Sequence, residues 1–154
     1  MKERTKDVQI GDRTFQVGSF SPREGRWVSM QFLGRLLYSL ENTREVQEKE
    51  LGASLATHLS YMGEDSFTRI QDKCFALTSE YNAQKVAMPV LMRDGPHKGE
   101  WAGDPLDLVD SLALTVSVLV FNLFDFFVPG ARDKLLVVFP DFTPKDSTST
   151  SSAR

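Results

Sequence analysis

The feature that most constrains the fold is residues 113–130, ALTVSVLVFNLFDFFVPG, the most apolar stretch of the chain. Apolar side chains recur here at helical spacing, and others widen the stripe well beyond one side. A narrow polar line remains, formed by Asp107, Ser111, Thr115, Asn122 and Asp125. A helix that is apolar on nearly every side needs a protein core, a bilayer or a second protein to cover it.

A bilayer is the least favoured of these three environments. The uncharged run is shorter than the approximately 20 residues that a membrane-spanning helix requires. Asn122 and Asp125 lie near its end, and its amino-terminal side carries Asp104, Asp107 and Asp110 where flanking positive charge is expected. A small membrane-associated protein is therefore only a third alternative.

Core and partner surface both stay open for the carboxy-terminal end of this helix. Four phenylalanines, Phe121, Phe124, Phe126 and Phe127, cluster just before Val128-Pro129-Gly130, where a helix usually leaves its packing neighbours. Exposed apolar patches of this kind mark association sites in soluble proteins. We predict that these four side chains contact a partner, with Trp27 and Trp101 as weaker candidates, and ordinary burial is the competing interpretation for all six.

Composition and charge narrow the classes of partner. The chain has 154 residues, 41% of them hydrophobic and 25% charged, which suits one domain with one core. Its net charge of -3 and its scattered Lys and Arg residues provide no basic surface for nucleic acid or anionic lipid. The single cysteine, Cys74, and the charged start MKERTKDVQI favour a reducing cytoplasm.

Turn and capping signals predict the other elements. Two alternating runs flank Gly11-Asp12, which predicts a β-hairpin over residues 8–17. Ser21-Pro22-Arg23-Glu24 is a helix start, and the apolar spacing extends that helix to about Glu41. Two further helical patterns cover residues 51–62 and 64–79, and Asp104-Pro105 predicts the start of the last helix.

The remaining segments are predicted to be irregular or peripheral. The charge run 44–50 is typical of a solvated helical face or linker. In residues 86–92, Pro89 limits an extended segment to a sheet edge or a loop. Residues 131–139 suit a strand or short helix that caps the core, and the Ser/Thr-rich residues 143–154 suit a disordered tail. We therefore expect a mainly α fold: one domain, residues 1–142, of about four helices with an amino-terminal hairpin.

The sequence carries no known catalytic or metal-binding signature. His58 and His97 have no Cys or His at metal-ligand spacing, and phosphate-binding loops and nucleophile elbows do not occur. Cys74 lies on an apolar helical stripe and suits a buried small hydrophobe. The sequence thus predicts a non-enzymatic protein without a cofactor.

The order of these features resembles the tail assembly chaperones of tailed bacteriophages in their short, non-frameshifted form. The resemblance covers about residues 5–130. It rests on the hairpin at residues 8–17, on the helix start at residues 21–27, and on residues 63–74. The strongest likeness is ALTV at residues 113–116 leading to FNLFDFF at residues 121–127.

This resemblance implies a helper in the cytoplasm of the host bacterium that is absent from the mature virion. Members of the family bind the tape measure protein and keep it soluble while tail tube subunits polymerise around it. The implied partners are therefore the tape measure protein, with the tail tube protein and a second copy of the chain as further candidates. The alternative function is a structural tail or connector subunit that stays in the virion.

Overall fold

The chain folds as a four-stranded antiparallel sheet packed against helices. The computed structural model describes the backbone of residues 4–39 and 47–127, and the side chains of residues 4–32 and 47–125. Within these residues the strands are β1 (Thr5–Ile10), β2 (Arg13–Gly18), β3 (Thr78–Tyr81) and β4 (Ala87–Pro89). The helices are α1 (Pro22–Ser39), α2 (Glu48–Ser60), α3 (Glu64–Ala76) and α4 (Leu108–Leu123), and a 3₁₀ turn follows at Phe124–Phe127.

The predicted mainly α class is wrong, because the amino-terminal hairpin is half of a larger sheet. The strands lie in the order β1-β2-β3-β4, and β2 pairs with β3 from more than 60 residues away through Val17 and Thr78. The described fold is therefore mixed α/β. The sequence failed to predict β3 because a strand this short directly after a helix has no Gly or Pro to announce it.

The hairpin itself forms as predicted. Ile10 pairs with Arg13 across the two-residue loop, and Gly11 has φ +62° while Asp12 stays at negative φ. Positive φ at the first loop position only is the geometry that suits a glycine there. The hairpin prediction over residues 8–17 is confirmed, and its two strands extend slightly further in both directions.

One face of the sheet is apolar and contributes to the core. Phe15 and Val17 of β2 are completely buried, and Thr78 of β3 is buried opposite Val17. The other face is polar: the amide of Gln16 donates to the Tyr81 hydroxyl at 3.0 Å, which donates to Asp7 at 2.8 Å. The Asp7 hydrogen bond raises the pKa of Tyr81.

The last helix, α4, is the element that the others share. It contacts β1, β2, α2 and α3, and its buried residues lie along one side. They belong to a single core with Phe15, Phe32, Leu51, Leu55 and Ile70; the α4 members are Leu114, Thr115, Val118, Leu119 and Leu123. The core interpretation of the apolar segment therefore holds for this side of α4.

The predicted start of α4 is wrong by one turn. The helix begins at Leu108, and Asp107 is its N-cap, accepting a hydrogen bond from the Asp110 amide at 2.8 Å. The backbone carbonyl of Asp104 instead accepts a hydrogen bond from Arg13 at 2.8 Å. Both aspartates have the chemistry of an N-cap, and the contact with Arg13 holds Asp104 in the preceding loop.

Most of the other predicted elements agree with the structure. Helix α1 starts at Pro22, and the Glu24 amide donates to the Ser21 hydroxyl at 3.3 Å. Helix α3 begins with Glu64 and Asp65 in its first turn but ends at Ala76 rather than near Ser79. Strand β4 is an edge strand of the described sheet and ends at Pro89, as the proline predicted. Residues 131–139 and 143–154, and residues 44–46 of the charge run, lie outside the described residues, whereas Glu48, Lys49 and Glu50 of that run form the first turn of α2.

Substitution of two glycines by alanine should change the stability of the fold in opposite directions. A Cβ at Gly52 of α2 would lie 3.7 Å from the side chains of both Val116 and Val120, which is ordinary van der Waals contact. Because alanine has the higher helix propensity, Gly52→Ala should raise the free energy of unfolding by about 0.5–1 kcal/mol. Gly18→Ala is the matched contrast, because its Cβ would approach the Leu77 carbonyl oxygen to 3.3 Å. We expect Gly18→Ala to lower that free energy by about 1 kcal/mol or more in urea titrations. A less stable Gly52→Ala protein would contradict the described α2–α4 packing.

Candidate functional site

The carboxy-terminal end of α4, where the sequence predicted partner contacts, is tied to the start of β1. The Arg4 guanidinium lies 5.1 Å from the centre of the Phe121 ring and forms an ion pair with Asp125. Phe121 and Phe124 are half-buried and pack against the core. Each of these two rings therefore has one part in the core and one part accessible.

Asn122 explains the polar line on this part of the helix. Its side-chain oxygen accepts a hydrogen bond from the Phe20 amide at 2.9 Å, and its nitrogen donates to the Gly18 carbonyl at 3.1 Å. The same nitrogen donates to the Val118 carbonyl within the helix at 2.9 Å. Asn122 thus satisfies the backbone between β2 and α1 and fixes the end of α4 over the sheet.

The other two phenylalanines lie in the turn that follows. Phe126 and Phe127 end the 3₁₀ turn, and their side chains are outside the described part of the structure. The partner contacts proposed for Phe121, Phe124, Phe126 and Phe127 remain predictions.

Trp27 lies on α1, and two cationic side chains of α3 lie against its ring. The Arg69 guanidinium is 4.5 Å and the Lys73 ammonium 5.6 Å from the ring centre. The Lys73 ammonium also lies 3.4 Å from the carboxylate of Glu24, and Glu24 is on the same helix as Trp27. These contacts cover much of the indole, so a partner would meet Arg69 together with Trp27.

Trp101 borders a groove beside the end of β4. Its ring packs on Phe75 with the ring centres 5.2 Å apart, and its backbone forms a bridge with Leu91. The groove has a volume of about 640 Å³, and Met88 and Met92 on its lining are exposed. Methionine is a flexible side chain that adapts to varied apolar partners. Trp101 is thus the predicted contact with the most accessible apolar surroundings.

The largest exposure of apolar side chains on α4 is at its other end. Leu108 is 75% exposed, Val109 71% and Leu112 36%. We call these three residues the α4 patch. Sequence reasoning missed the patch because Val109 continues the same apolar stripe as Val116 and Val120. One signal was available: Leu108 and Val109 lie between Asp107 and Asp110, which is unusual for buried residues.

The apolar stripe of α4 is covered by α2 at one level and exposed at another. Gly52 of α2 faces Val116 and Val120, so the two helices approach closely at that level. Val109 and Leu112 precede Val116 on the same stripe by two turns and one turn, and they remain exposed. The α4 patch is therefore the uncovered continuation of an apolar stripe that α2 covers further along.

The titratable side chains of the described residues form no obvious chemical centre. Within the described residues, no group of three or more His, Cys, Asp or Glu side chains could hold a metal ion. Cys74 is completely buried, and burial raises the pKa of its thiol, so it stays a protonated apolar residue. His97 is exposed with its ring nitrogen 3.0 Å from Glu100. Among the described helices, none combines the length and apolarity that a bilayer span demands.

The comparison with protein families gives one result. The model of the family described as phage tail assembly chaperone protein, TAC, matches residues 11–133. This range includes β2, all four described helices and both ends of α4. No curated protein and no solved structure matches the chain.

The anchoring role of Asn122 can be tested by removing its side-chain amide. Asn122→Ala leaves the Phe20 amide and the Gly18 carbonyl without their described partner, so the free energy of unfolding should fall by about 1–3 kcal/mol. Ser117→Ala on the same helix is the control, since its hydroxyl only contacts the carbonyl of Ala113 within α4. That control should stay within about 0.5 kcal/mol of the original protein in the same urea titration. Equal effects of the two substitutions would contradict the anchoring role of Asn122.

Proposed function

The chain belongs to the phage tail assembly chaperone family, whose model matches residues 11–133, and from this membership we propose that it binds the tape measure protein. It keeps this long, apolar client soluble while tail tube subunits polymerise around it. Membership of a chaperone family also indicates a role without catalysis. The tail tube protein is a further partner in this proposal.

The observation that carries the proposal is the α4 patch. A chaperone has to cover the apolar surface of its client with apolar surface of its own. Leu108 and Val109 are available for this contact, since each exposes more than two thirds of its surface. Full coverage of one such side chain contributes about 1.5–3 kcal/mol before ordering costs, so a few residues suffice for reversible binding.

The phenylalanine end of α4 provides a second proposed contact. Phe121 and Phe124 are half-buried, so they present less apolar area than Leu108 and Val109. Trp101 lines an accessible groove with Met88 and Met92, while Arg69 partly covers Trp27. We rank the α4 patch above these contacts because Leu108 and Val109 expose more of their surface than any of these side chains.

Co-purification with the tape measure protein of the same phage tests the proposal. Leu108→Ser with Val109→Ser should reduce the recovery of the tape measure protein by about tenfold or more, because the client loses apolar contact area. The variant should keep its melting temperature, since both side chains are exposed. Met30→Ser with Val86→Ser is the matched control, because these exposed apolar residues lie on α1 and directly before β4, outside both α4 and the Trp101 groove.

Two outcomes would contradict different parts of this assignment. If the original protein recovers no tape measure protein, the proposed function is wrong. If recovery is unaffected by the patch variant but falls with Phe124→Ser, the client contact lies at the phenylalanine end instead. Circular dichroism of Phe124→Ser has to show an unchanged fold, because this ring also packs against the core.

The proposal also predicts where the protein is found. It acts in the cytoplasm of the bacterial host and leaves the tail before the virion is complete. Quantitative mass spectrometry of purified virions should therefore detect it at far below one copy per virion. Stoichiometric presence in virions would instead support a structural tail or connector subunit, in which the α4 patch packs against neighbouring subunits.

A further inference from the structure

The arrangement of α2 and α4 brings several exposed residues to one end of the helical layer. Arg4 directly precedes β1, on which Lys6 lies, and Arg4 forms an ion pair with Asp125, just after α4. Lys6 lies 3.6 Å from Glu48, the first residue of α2. The start of α2 and the end of α4 therefore lie together. Because Gly52, one turn into α2, faces Val120 and Val116, further back along α4, the two helices run antiparallel. The end of α2 accordingly lies beside the start of α4.

The first turn of α3 lies at the same end. Only residues 61–63 connect α2 to α3, so Glu64 follows closely on the end of α2. Further along α3, the Gln71 side chain donates a hydrogen bond to the Thr115 hydroxyl of α4 at 3.2 Å. We call this common end of α2, α3 and α4 the acidic end.

The acidic end combines exposed apolar side chains with carboxylates. Tyr61, directly after α2, is 79% exposed and joins the α4 patch on the apolar side. Glu64 and Asp65 are exposed in the first turn of α3, and Asp107 and Asp110 flank Leu108 and Val109. No Lys or Arg occurs in residues 51–68 or 99–131, and Arg69, one turn after Asp65 on α3, lies 4.5 Å from the centre of the Trp27 ring on α1.

The carboxylates outweigh the helix dipoles at this end. The starts of α3 and α4 each contribute about half a positive charge, together about one unit. Glu64, Asp65, Asp107 and Asp110 contribute four negative charges. Even with Asp107 serving as the N-cap of α4, the acidic end keeps a net negative potential next to exposed apolar surface.

We propose that the acidic end binds an amphipathic helix whose apolar stripe is flanked by lysine or arginine residues. This inference rests on the proposed function and names the kind of client segment that the chaperone recognises. Apolar contact with the α4 patch and Tyr61 supplies affinity, and the carboxylates select basic flanks and speed association. A second copy of the chain is the wrong partner for a symmetric contact here, because two acidic ends repel each other.

Two synthetic helical peptides with the same leucine stripe test the charge preference. One carries lysine flanks and the other glutamate flanks, and each is titrated into the full chain by isothermal titration calorimetry. The lysine peptide should bind about tenfold more tightly or better, and this preference should shrink at high salt because exposed charges are screened. Equal affinity of the two peptides would overturn the inference.

Two variants separate the apolar and the charged contributions. Glu64→Gln with Asp65→Asn should reduce the preference for the lysine peptide and leave the affinity for the glutamate peptide unchanged or higher. Leu108→Ser with Val109→Ser should lower the affinity of the protein for both peptides. If neither variant changes the affinity for the lysine peptide, the assignment of the binding site to the acidic end is wrong. It is also wrong if light scattering shows that the original protein is a dimer and that Leu108→Ser with Val109→Ser makes it monomeric.

The result is distinct from the test of the proposed function. If both peptides bind equally while the tape measure protein still co-purifies, only the charge preference fails. If the tape measure protein does not co-purify while the lysine peptide binds at the acidic end, the binding preference stands and the client is a different basic amphipathic helix.

Discussion

The burial of α4 is the constraint on which the described structure depends. This helix is too apolar to lie at the surface, so the sheet, α2 and α3 each cover part of it. Asn122 is the polar residue that the packing has to accommodate, and it does so by bonding the backbone on either side of Ser19. Because the hydrogen bonds of Asn122 are directional, they fix the position of this helix end more closely than apolar contact alone would. At the other end Leu108 and Val109 are exposed, and there the apolar stripe is open.

Local signals in the sequence predicted the elements that depend on local chemistry. The hairpin follows from Gly11 at a loop position that requires positive φ, and the start of α1 follows from Ser21 and Pro22. Burial of Cys74 was predictable because it lies on the apolar stripe of α3. In each case the residues that decide the structure are within a few positions of one another, so no knowledge of the tertiary fold is needed.

The features that the sequence did not predict depend on contacts between distant residues. Strand β3 exists because Thr78 and Glu80 pair with β2, and a four-residue segment has little strand preference of its own. Asp104 and Asp107 are equally good caps, and Arg13 on β2 holds the first of them in a loop. The apolar surplus of α4 was assigned to the phenylalanine end, whereas the larger exposure is at Leu108 and Val109. Which part of the stripe is exposed depends on how the other elements pack around α4, and helical periodicity carries no information on that packing.

An exposed apolar surface creates a risk of self-association, and its acidic surroundings reduce this risk. A leucine and a valine that are exposed between two aspartates can still pack against a partner, but an identical partner brings its own carboxylates into the same contact. The cost of bringing like charges together acts against every acidic copy of the chain, whereas a basic client gains from the same charges. Apolar area without this charge pattern would bind client and chaperone alike. The placement of Asp107 and Asp110 beside Leu108 and Val109 thus gives one short segment both tasks: to offer apolar contact and to restrict which helix can use it.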